Sequence, residues 1–288
     1  MRRALKVVPL LLAALAAGVL AAGCGSGGAG AVLDPVAKAA DTTGQAQGAK
    51  FEMHVHVNLG SLGGQISLDA HGHLNFKAHE GELSMAFNGL PAAAAATIPD
   101  GTTMTEVFAG SDVYIESPLF EGKLPNGARW AKLDLASTEK TLGLDPSSLS
   151  SGQANPAQFL EYLHSMGGEV RQAGTETVRG VSTTRYSGTI DLNKVIEKLG
   201  GGESGAAKAA VDQIISQLGG GAIPVQVWVD DQHMVRKIQI ALPIAAGGQK
   251  LESTVTIEFF DFGSTEPVHV PADSETYELS PGALGSGA

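Results

Sequence analysis

The sequence predicts an α+β fold built on one strongly curved antiparallel sheet of about ten strands. Three observations lead to this prediction. Segments in which apolar and polar residues alternate recur along the chain, as in half-buried strands. Short glycine-containing turns join several of these segments, as in antiparallel hairpins. The helix-like segments come in blocks instead of alternating one by one with strands, which argues against a doubly wound parallel sheet.

The first two predicted strands each place apolar residues on one face and polar residues on the other. In residues 51–59 every odd position is apolar, and in residues 65–78 the even positions form the apolar face. The second segment is about 13 residues long, well beyond the usual five or six, which suits a strongly curved sheet or barrel. Gly72 is the candidate bend. Because one face is continuously apolar, another layer or a ligand has to cover it.

The remaining elements follow along one domain, expected over residues 34–280, with a flexible tail at 281–288. Further strands are predicted at 83–87, 104–109, 113–116, 130–135, 169–175, 180–190, 225–229, 235–242 and 251–262. Helices are predicted at 34–42 with Asp34 as N-cap, after Asn155-Pro156, at 191–199 and at 205–218. A division into two halves near residue 150 stays open, although no clear linker separates them.

The amino-terminal segment is typical of an exported protein. Arg2, Arg3 and Lys6 precede an uncharged run of 17 residues that leads into Cys24, the single cysteine. That run lies at the short limit for a membrane-spanning helix. The segment resembles a bacterial lipoprotein signal with its lipobox. The resemblance implies a signal peptide over 1–23, a diacylglycerol thioether on Cys24 and an acylated flexible tether over 24–33. Export by the general or the twin-arginine route stays open.

The charge balance argues against two classes of partner. Removal of residues 1–23 takes away three cations and no acids, so the net charge changes from −11 to −14. Such an acidic chain is repelled by nucleic acid and by anionic lipid headgroups, which leaves the acyl chains on Cys24 as the membrane attachment. With one cysteine the chain forms no internal disulfide and no thiolate metal cage, so apolar burial has to hold the fold.

Three strings in the second half of the chain carry a resemblance to a known family. They are YSGTIDL at 186–192, IPVQVWVD at 223–230, which continues into VRKI at 235–238, and DFG at 261–263. With the lipobox and the order of the elements, they resemble the LolA-like fold and, within it, the actinobacterial LppX/LprG branch of envelope lipoproteins. The resemblance implies a β half-barrel whose concave apolar face is covered by helices that leave a cavity for acyl chains. It also implies a protein that binds or carries a lipid, a glycolipid or a lipidated molecule and has no catalytic residues.

Apolar positions of the predicted strands would line such a cavity. The candidates are Met53, Val55, Val57, Ile66, Leu68, Leu74, Phe76, Val227 and Val229. Burial of an acyl chain there would contribute about 25 cal/mol per Å² of apolar area. The alternative for each residue is plain core packing.

Four histidines on the polar face are candidate ligands of zinc or copper. His54 and His56 share the first strand, and His71 and His73 share the second. Two registers stay open: one places His54 opposite His71, and the other places His54 opposite His73 and His56 opposite His71. Opposed residues lie about 4.5–5.5 Å apart at Cβ, which is close enough for a shared metal ion. The alternative is a solvated face on which histidine happens to be the polar residue.

No catalytic motif supports an enzyme. Gly200, Gly202 and Gly205 fit G-x-G-x-x-G, but a helix is predicted before them where the dinucleotide-binding motif needs a strand. The strings G-x-S-x-G and H-E-x-x-H and the P-loop do not occur. We therefore expect a lipid-binding or lipid-carrying lipoprotein without a cofactor, anchored by Cys24 on the extracytoplasmic face of the cell membrane. The alternative is a protein-interaction or sensory lipoprotein of the same fold, with an envelope protein as its partner.

Overall fold

The computed structural model describes residues 35–60, 64–90, 95, 98–134, 170–191, 222–246 and 249–279. Within these ranges lie helix α1 (Pro35–Gln45), short 3-10 turns and twelve strands. The strands are β1 (Gly48–Asn58), β2 (Gln65–Asn75), β3 (Glu80–Asn88), β4 (Thr103–Ala109), β5 (Asp112–Glu116), β6 (Trp130–Asp134), β7 (Arg171–Val178), β8 (Val181–Asp191), β9 (Ala222–Asp230), β10 (Val235–Ala246), β11 (Gln249–Phe260) and β12 (Thr276–Glu278). None of the helices in the described ranges has the length and hydrophobicity that a bilayer crossing needs.

All twelve strands belong to one open sheet with the order β12-β6-β5-β4-β3-β2-β1-β11-β10-β9-β8-β7. Neighbouring strands are antiparallel except for β12 and β6, which are parallel. Strand β1 pairs with β2 on one side and with β11 on the other. The two halves of the chain, on either side of residue 150, therefore contribute to one continuous sheet that is joined at β1 and β11.

The predicted antiparallel sheet is confirmed, and every predicted strand overlaps an observed one. Strand β12 was not predicted, because three residues are too few to show an alternation; they extend the sheet by lying beside β6. Strand β2 ends at Asn75, before the predicted 78, since a turn begins there. In this turn the side-chain oxygen of Asn75 accepts a hydrogen bond from the backbone N–H of Ala78 at 3.2 Å.

Helix α1 packs on the apolar face of the sheet, against β9 and β10. It buries Val36, Ala39 and Ala40 in the core. At its end the hydroxyl of Thr43, which is fully buried, accepts a hydrogen bond from the backbone N–H of Val235 at 2.9 Å. A helix therefore covers the β9–β10 part of the face, and its position depends on small side chains and one buried hydrogen bond.

The other predicted helices lie outside the described residues, except that Asp191 is the last residue of β8. The predicted N-cap Asp34 and the glycines at 200, 202 and 205 also lie outside them. Coverage of the apolar face by those helices, and the half-barrel curvature of the sheet, remain predictions.

Gly72 in β2 allows β3 to approach closely. A Cβ atom at this position would lie 2.1 Å from the carbonyl oxygen of Glu82 and 2.9 Å from the Cβ of Leu83. No side chain fits without a shift of the β3 backbone, so the glycine is needed for packing. Its predicted role as a bend in the strand remains a prediction.

Candidate functional site

One face of the sheet carries continuous rows of apolar side chains. The first row crosses seven strands, from β9 to β4, and consists of Val227, Ile238, Ile257, Met53, Ala70, Met85 and Met104. The next row consists of Val225, Ile240, Val255, Val55, Leu68 and Phe87. Residues opposite each other in antiparallel strands lie on the same face. The apolar face is therefore one continuous surface on both sides of β1.

The register places eight of the nine predicted lining residues on this side of the sheet. Six of the nine are buried members of the core, namely Val55, Val57, Ile66, Leu68, Val227 and Val229. Met53 and Leu74 are partly buried and pack against that core. Phe76 follows the last residue of β2 and is buried, but it is not a member of the core cluster. The six buried residues are already packed by other side chains, as the core-packing alternative expects, and their ligand role remains a prediction.

The middle of the apolar face is partly accessible to solvent. Five large apolar side chains on β1, β10 and β11 are only partly buried there, and we call them the central patch: Met53, Ile240, Leu242, Val255 and Ile257. Four of the five were not among the predicted lining residues. The sequence signal that could have identified them is the alternation of apolar and polar residues in 235–242 and 251–262. The register of β1, β11 and β10 then decides that these residues are neighbours.

A small cavity lies between α1 and strands β8 and β9. Its walls are formed by Val36, Val170, Tyr186, Ser187, Gly188, Thr189, Val225 and Val227. The cavity volume is about 10 Å³, roughly the smallest space that holds one water molecule. An acyl chain does not fit into it in this conformation. Binding of a chain at this place would require α1 to move away from β9.

Glu106 of β4 places a carboxyl group on the apolar face. The register sets it between Leu83 of β3 and Ile115 of β5. Desolvation by the surrounding protein raises the pKa of Glu106 to about 7. At neutral pH this carboxyl is therefore close to half ionised. Sequence reasoning missed it because apolar residues occur on both faces of β4, with Met104 on one face and Val107 on the other.

The opposite face is held together by ion pairs between strands. Arg179 contacts Glu52 of β1 and lies 2.9 Å from Glu258 of β11. The ammonium of Lys50 lies 2.6 Å from Glu266, and this hydrogen bond raises the pKa of Lys50 and lowers the pKa of Glu266. This face carries mostly polar side chains, as the alternation predicted, although Trp228 of β9 and Val107 of β4 lie on it and are buried.

The predicted pairing of the four histidines is wrong. The register sets His54 opposite Asp69, His56 opposite Ser67, His71 opposite Glu52 and His73 opposite Lys50. The turn between the strands decides this register, since hairpin pairing depends on loop length. In the turn, the backbone N–H of Leu59 donates to the carbonyl of Gly64 at 3.2 Å, and Asn58 then pairs with Gln65.

Two of these histidines contact side chains of β2 other than histidine. Nδ1 of His54 lies 2.7 Å from a carboxylate oxygen of Asp69, and Nδ1 of His56 lies 2.8 Å from the amide nitrogen of Gln65. Among the described residues, no three His, Cys, Asp or Glu side chains are grouped so that they could hold a metal ion. The register therefore gives the metal hypothesis no support.

Cys24 lies outside the described residues, so its lipidation remains a prediction.

No family model matches this chain. A curated protein of Streptomyces griseus, an uncharacterised 31.2 kDa protein from the rplA–rplJ intergenic region, is 30% identical to it over 127 residues. The matched residues make up 44% of this chain and 39% of that protein. The match covers less than half of either protein.

Similar solved structures include two mycobacterial proteins. The lipoprotein LppX of Mycobacterium tuberculosis is 14% identical, with a TM-score of 0.45 over 82% of this chain and 96% of that one. LprF of Mycobacterium bovis is 16% identical, with a TM-score of 0.45 over 83% of this chain and 95% of that one. A LolA superfamily protein of Nitrosomonas europaea is 8% identical, with a TM-score of 0.30 over 83% of this chain and 96% of that one. Because these TM-scores are below 0.5, the fold of this chain rests on its own strand order and register.

Proposed function

We propose that this chain is an exported lipoprotein, anchored through Cys24, that binds or carries a lipid or a lipidated molecule on the apolar face of its sheet without enzymatic activity. The central patch is the observation that carries the proposal. Exposure of apolar area costs about 25 cal/mol per Å², and contiguous exposed apolar surface commonly marks a binding site. An acyl chain lying across Ile240, Val255 and Ile257 would remove that area from water.

The length of the apolar rows suits an acyl chain. Adjacent strands lie about 4.8 Å apart, so the row from β9 to β4 is about 29 Å long. One leaflet of a bilayer has a hydrocarbon thickness of about 15 Å. A chain of membrane length is therefore shorter than this row. Five residues of the row are buried, so a chain that lies along it on either side of the central patch has to displace the side chains that cover them: Val227, Ile238, Ala70, Met85 and Met104.

The packing of α1 offers a route to more of this face. The helix buries mainly alanine and valine, so its own side chains contribute little to the buried apolar area. Its buried polar contact is the hydrogen bond between Thr43 and Val235. An acyl chain that replaced α1 against β9 would cover the same valines, Val225 and Val227, which supports access of a chain by displacement of the helix.

Binding is tested by native mass spectrometry of the full chain purified from an envelope fraction. We expect a co-purifying mass that denaturation releases as lipid. Ile257→Gln should reduce the lipid-bound fraction several-fold, because it places an amide in the central patch. Thr256→Gln is the matched control, since Thr256 is the next residue of β11 and lies on the polar face.

The melting transition of each variant shows whether it is folded. If Ile257→Gln does not melt cooperatively, Ile257→Ala replaces it, because that change removes apolar area without adding a polar group. Wild-type protein that repeatedly carries no lipid would contradict the proposal. So would a stoichiometric protein bound in place of the lipid, or equal lipid loss in the variants at 256 and 257.

Anchoring is tested separately by cell fractionation. Cys24→Ala should move the folded protein from the membrane fraction to the soluble fraction, because the thioether to the lipid can no longer form. Ser26→Ala, two residues further on, should leave the protein on the membrane. Retention of the Cys24 variant on the membrane would overturn the anchoring part of the proposal and leave the binding part intact.

A further inference from the structure

Glu106 occupies a position at which the rest of its row is apolar. That row across the sheet consists of Phe51, Gly72, Leu83, Glu106, Ile115 and Ala131. The next positions on the same face are also apolar: Gly81 and Met85 on β3, Met104 and Phe108 on β4, and Val113 on β5. None of these neighbours is titratable or charged. Within the described strands, the carboxyl is therefore surrounded by apolar positions.

The carboxyl has no partner among the described residues. In the part of the chain that the structure describes, no hydrogen bond and no ion pair reaches Glu106. A polar group taken from water without a partner costs free energy, and an unpaired charge costs more. Glu106 is thus a carboxyl group with a free-energy cost of burial, at a position where a leucine would pack. Such a residue is typical of a functional position.

The same residue keeps some contact with solvent. Glu106 is only partly buried, and so are its neighbours Phe108 and Ile115. The site thus combines accessible apolar side chains with one acidic group, which is the arrangement that recognises an amphiphile by its chain and its headgroup together. Leu83, on the other side of the carboxyl, is buried and belongs to the core.

The charge of the complementary headgroup follows from this chemistry. A carboxylate in apolar surroundings gains most from a cationic donor, because a charge-assisted hydrogen bond is about twice as strong as a neutral one. A carboxylate headgroup would be repelled, and a hydroxyl would donate a hydrogen bond without the attraction of an opposite charge. The net charge of −11 also attracts cations to the protein as a whole.

We propose that Glu106 is the headgroup-anchoring residue of the apolar face and that the preferred ligand is an amphiphile with a protonated amine. The ammonium donates to the carboxylate of Glu106 while the chain lies along Leu83, Ile115 and the neighbouring apolar rows. This inference rests on the proposed function, since it names the ligand class for the same face.

The test is calorimetric titration of the full chain at pH 8 with decylamine and, separately, with 1-decanol. The two probes share a ten-carbon chain and differ in the headgroup. We expect decylamine to bind at least about tenfold more tightly than decanol, because only the ammonium adds the attraction of an opposite charge to the hydrogen bond that both headgroups can donate. Glu106→Gln should bring the ratio of the two affinities close to one.

Glu82→Gln is the matched control. It makes the same chemical change and the same change in net charge on the adjacent strand, but at a position beside Leu83 that lies on the opposite face. This variant should keep the wild-type preference for the amine. A preference that survives in Glu106→Gln, or that Glu82→Gln also abolishes, overturns the inference.

The two proposals fail in different ways. If decylamine and decanol bind wild type with equal affinity, the role of Glu106 is refuted and lipid binding on the apolar face stands. If neither amphiphile binds, the proposed function and the inference are both refuted. The melting transition of Glu106→Gln shows that the variant is folded, and glutamine keeps the size of the side chain.

Discussion

Replacement of Glu106 by glutamine should change how the stability of the fold depends on pH. Burial raises the pKa of Glu106 from its ordinary value of 4.5 to about 7, so the native state holds this proton more tightly than the unfolded chain does. The contribution of Glu106 to the free energy of unfolding is therefore fully present below pH 4.5 and is lost as the pH rises through 7. Over that range the loss amounts to about 3 kcal/mol, at roughly 1.4 kcal/mol for each pKa unit.

The assay is urea denaturation followed by the fluorescence of the two tryptophans at a series of pH values. Between pH 5 and pH 8 the free energy of unfolding of Glu106→Gln should rise relative to wild type by about 2–3 kcal/mol, because glutamine has no charge to desolvate. At the acidic end the two proteins should be nearly equal, since both then carry a neutral polar side chain. The neighbouring positions on this face, among the described residues, hold no titratable group that would produce the same trend.

Glu82→Gln again serves as the control and should keep the pH dependence of wild type, because Glu82 is on the polar face. Parallel curves for wild type and Glu106→Gln would refute the reasoning. That result would mean that the carboxyl is hydrated or paired in solution, and the inference about an amine headgroup would lose its physical basis.

Five other substitutions, at four positions, test the packing of the fold by the same urea assay. Gly72→Ala should cost about 1–3 kcal/mol, because its Cβ meets the β3 backbone, whereas Gly81→Ala, which first meets a flexible side chain at 2.7 Å, should cost less. Asp230→Ala should cost about 2–4 kcal/mol, since the buried carboxylate accepts three hydrogen bonds, and Asp230→Asn should lie between it and wild type. Thr43→Val should cost about 1–3 kcal/mol and speed amide exchange at Val235, whose N–H loses its acceptor. Equal costs of Gly72→Ala and Gly81→Ala would contradict the close approach of β3 to Gly72. An Asp230→Ala variant as stable as wild type would contradict the three hydrogen bonds to Asp230, and unchanged amide exchange at Val235 would contradict its hydrogen bond to Thr43.

Much of the candidate site was predictable, because alternation is a local property of the sequence. Residues such as Val55, Leu68 and Val227 were assigned to one face from their neighbours alone, and the register confirms that they share it. The central patch was not predicted. Ile240 and Ile257 belong to strands whose alternation was visible, but their meeting with Met53 depends on pairs of strands that are far apart along the chain.

The sequence by itself determined where the strands lie and which side chains each strand turns to the same side. It also determined the acidic charge and the signal-like start that ends in Cys24. Only the tertiary structure decided that β1 pairs with β11, that the histidines of the first hairpin do not oppose each other, and that Glu106 stands among apolar neighbours. The physical reason is that the alternation of side chains repeats every two residues, so it leaves the choice of neighbouring strand and the offset between strands open. Turn geometry and long-range pairing make that choice, and they bring Leu83 and Ile115 to either side of the carboxyl of Glu106.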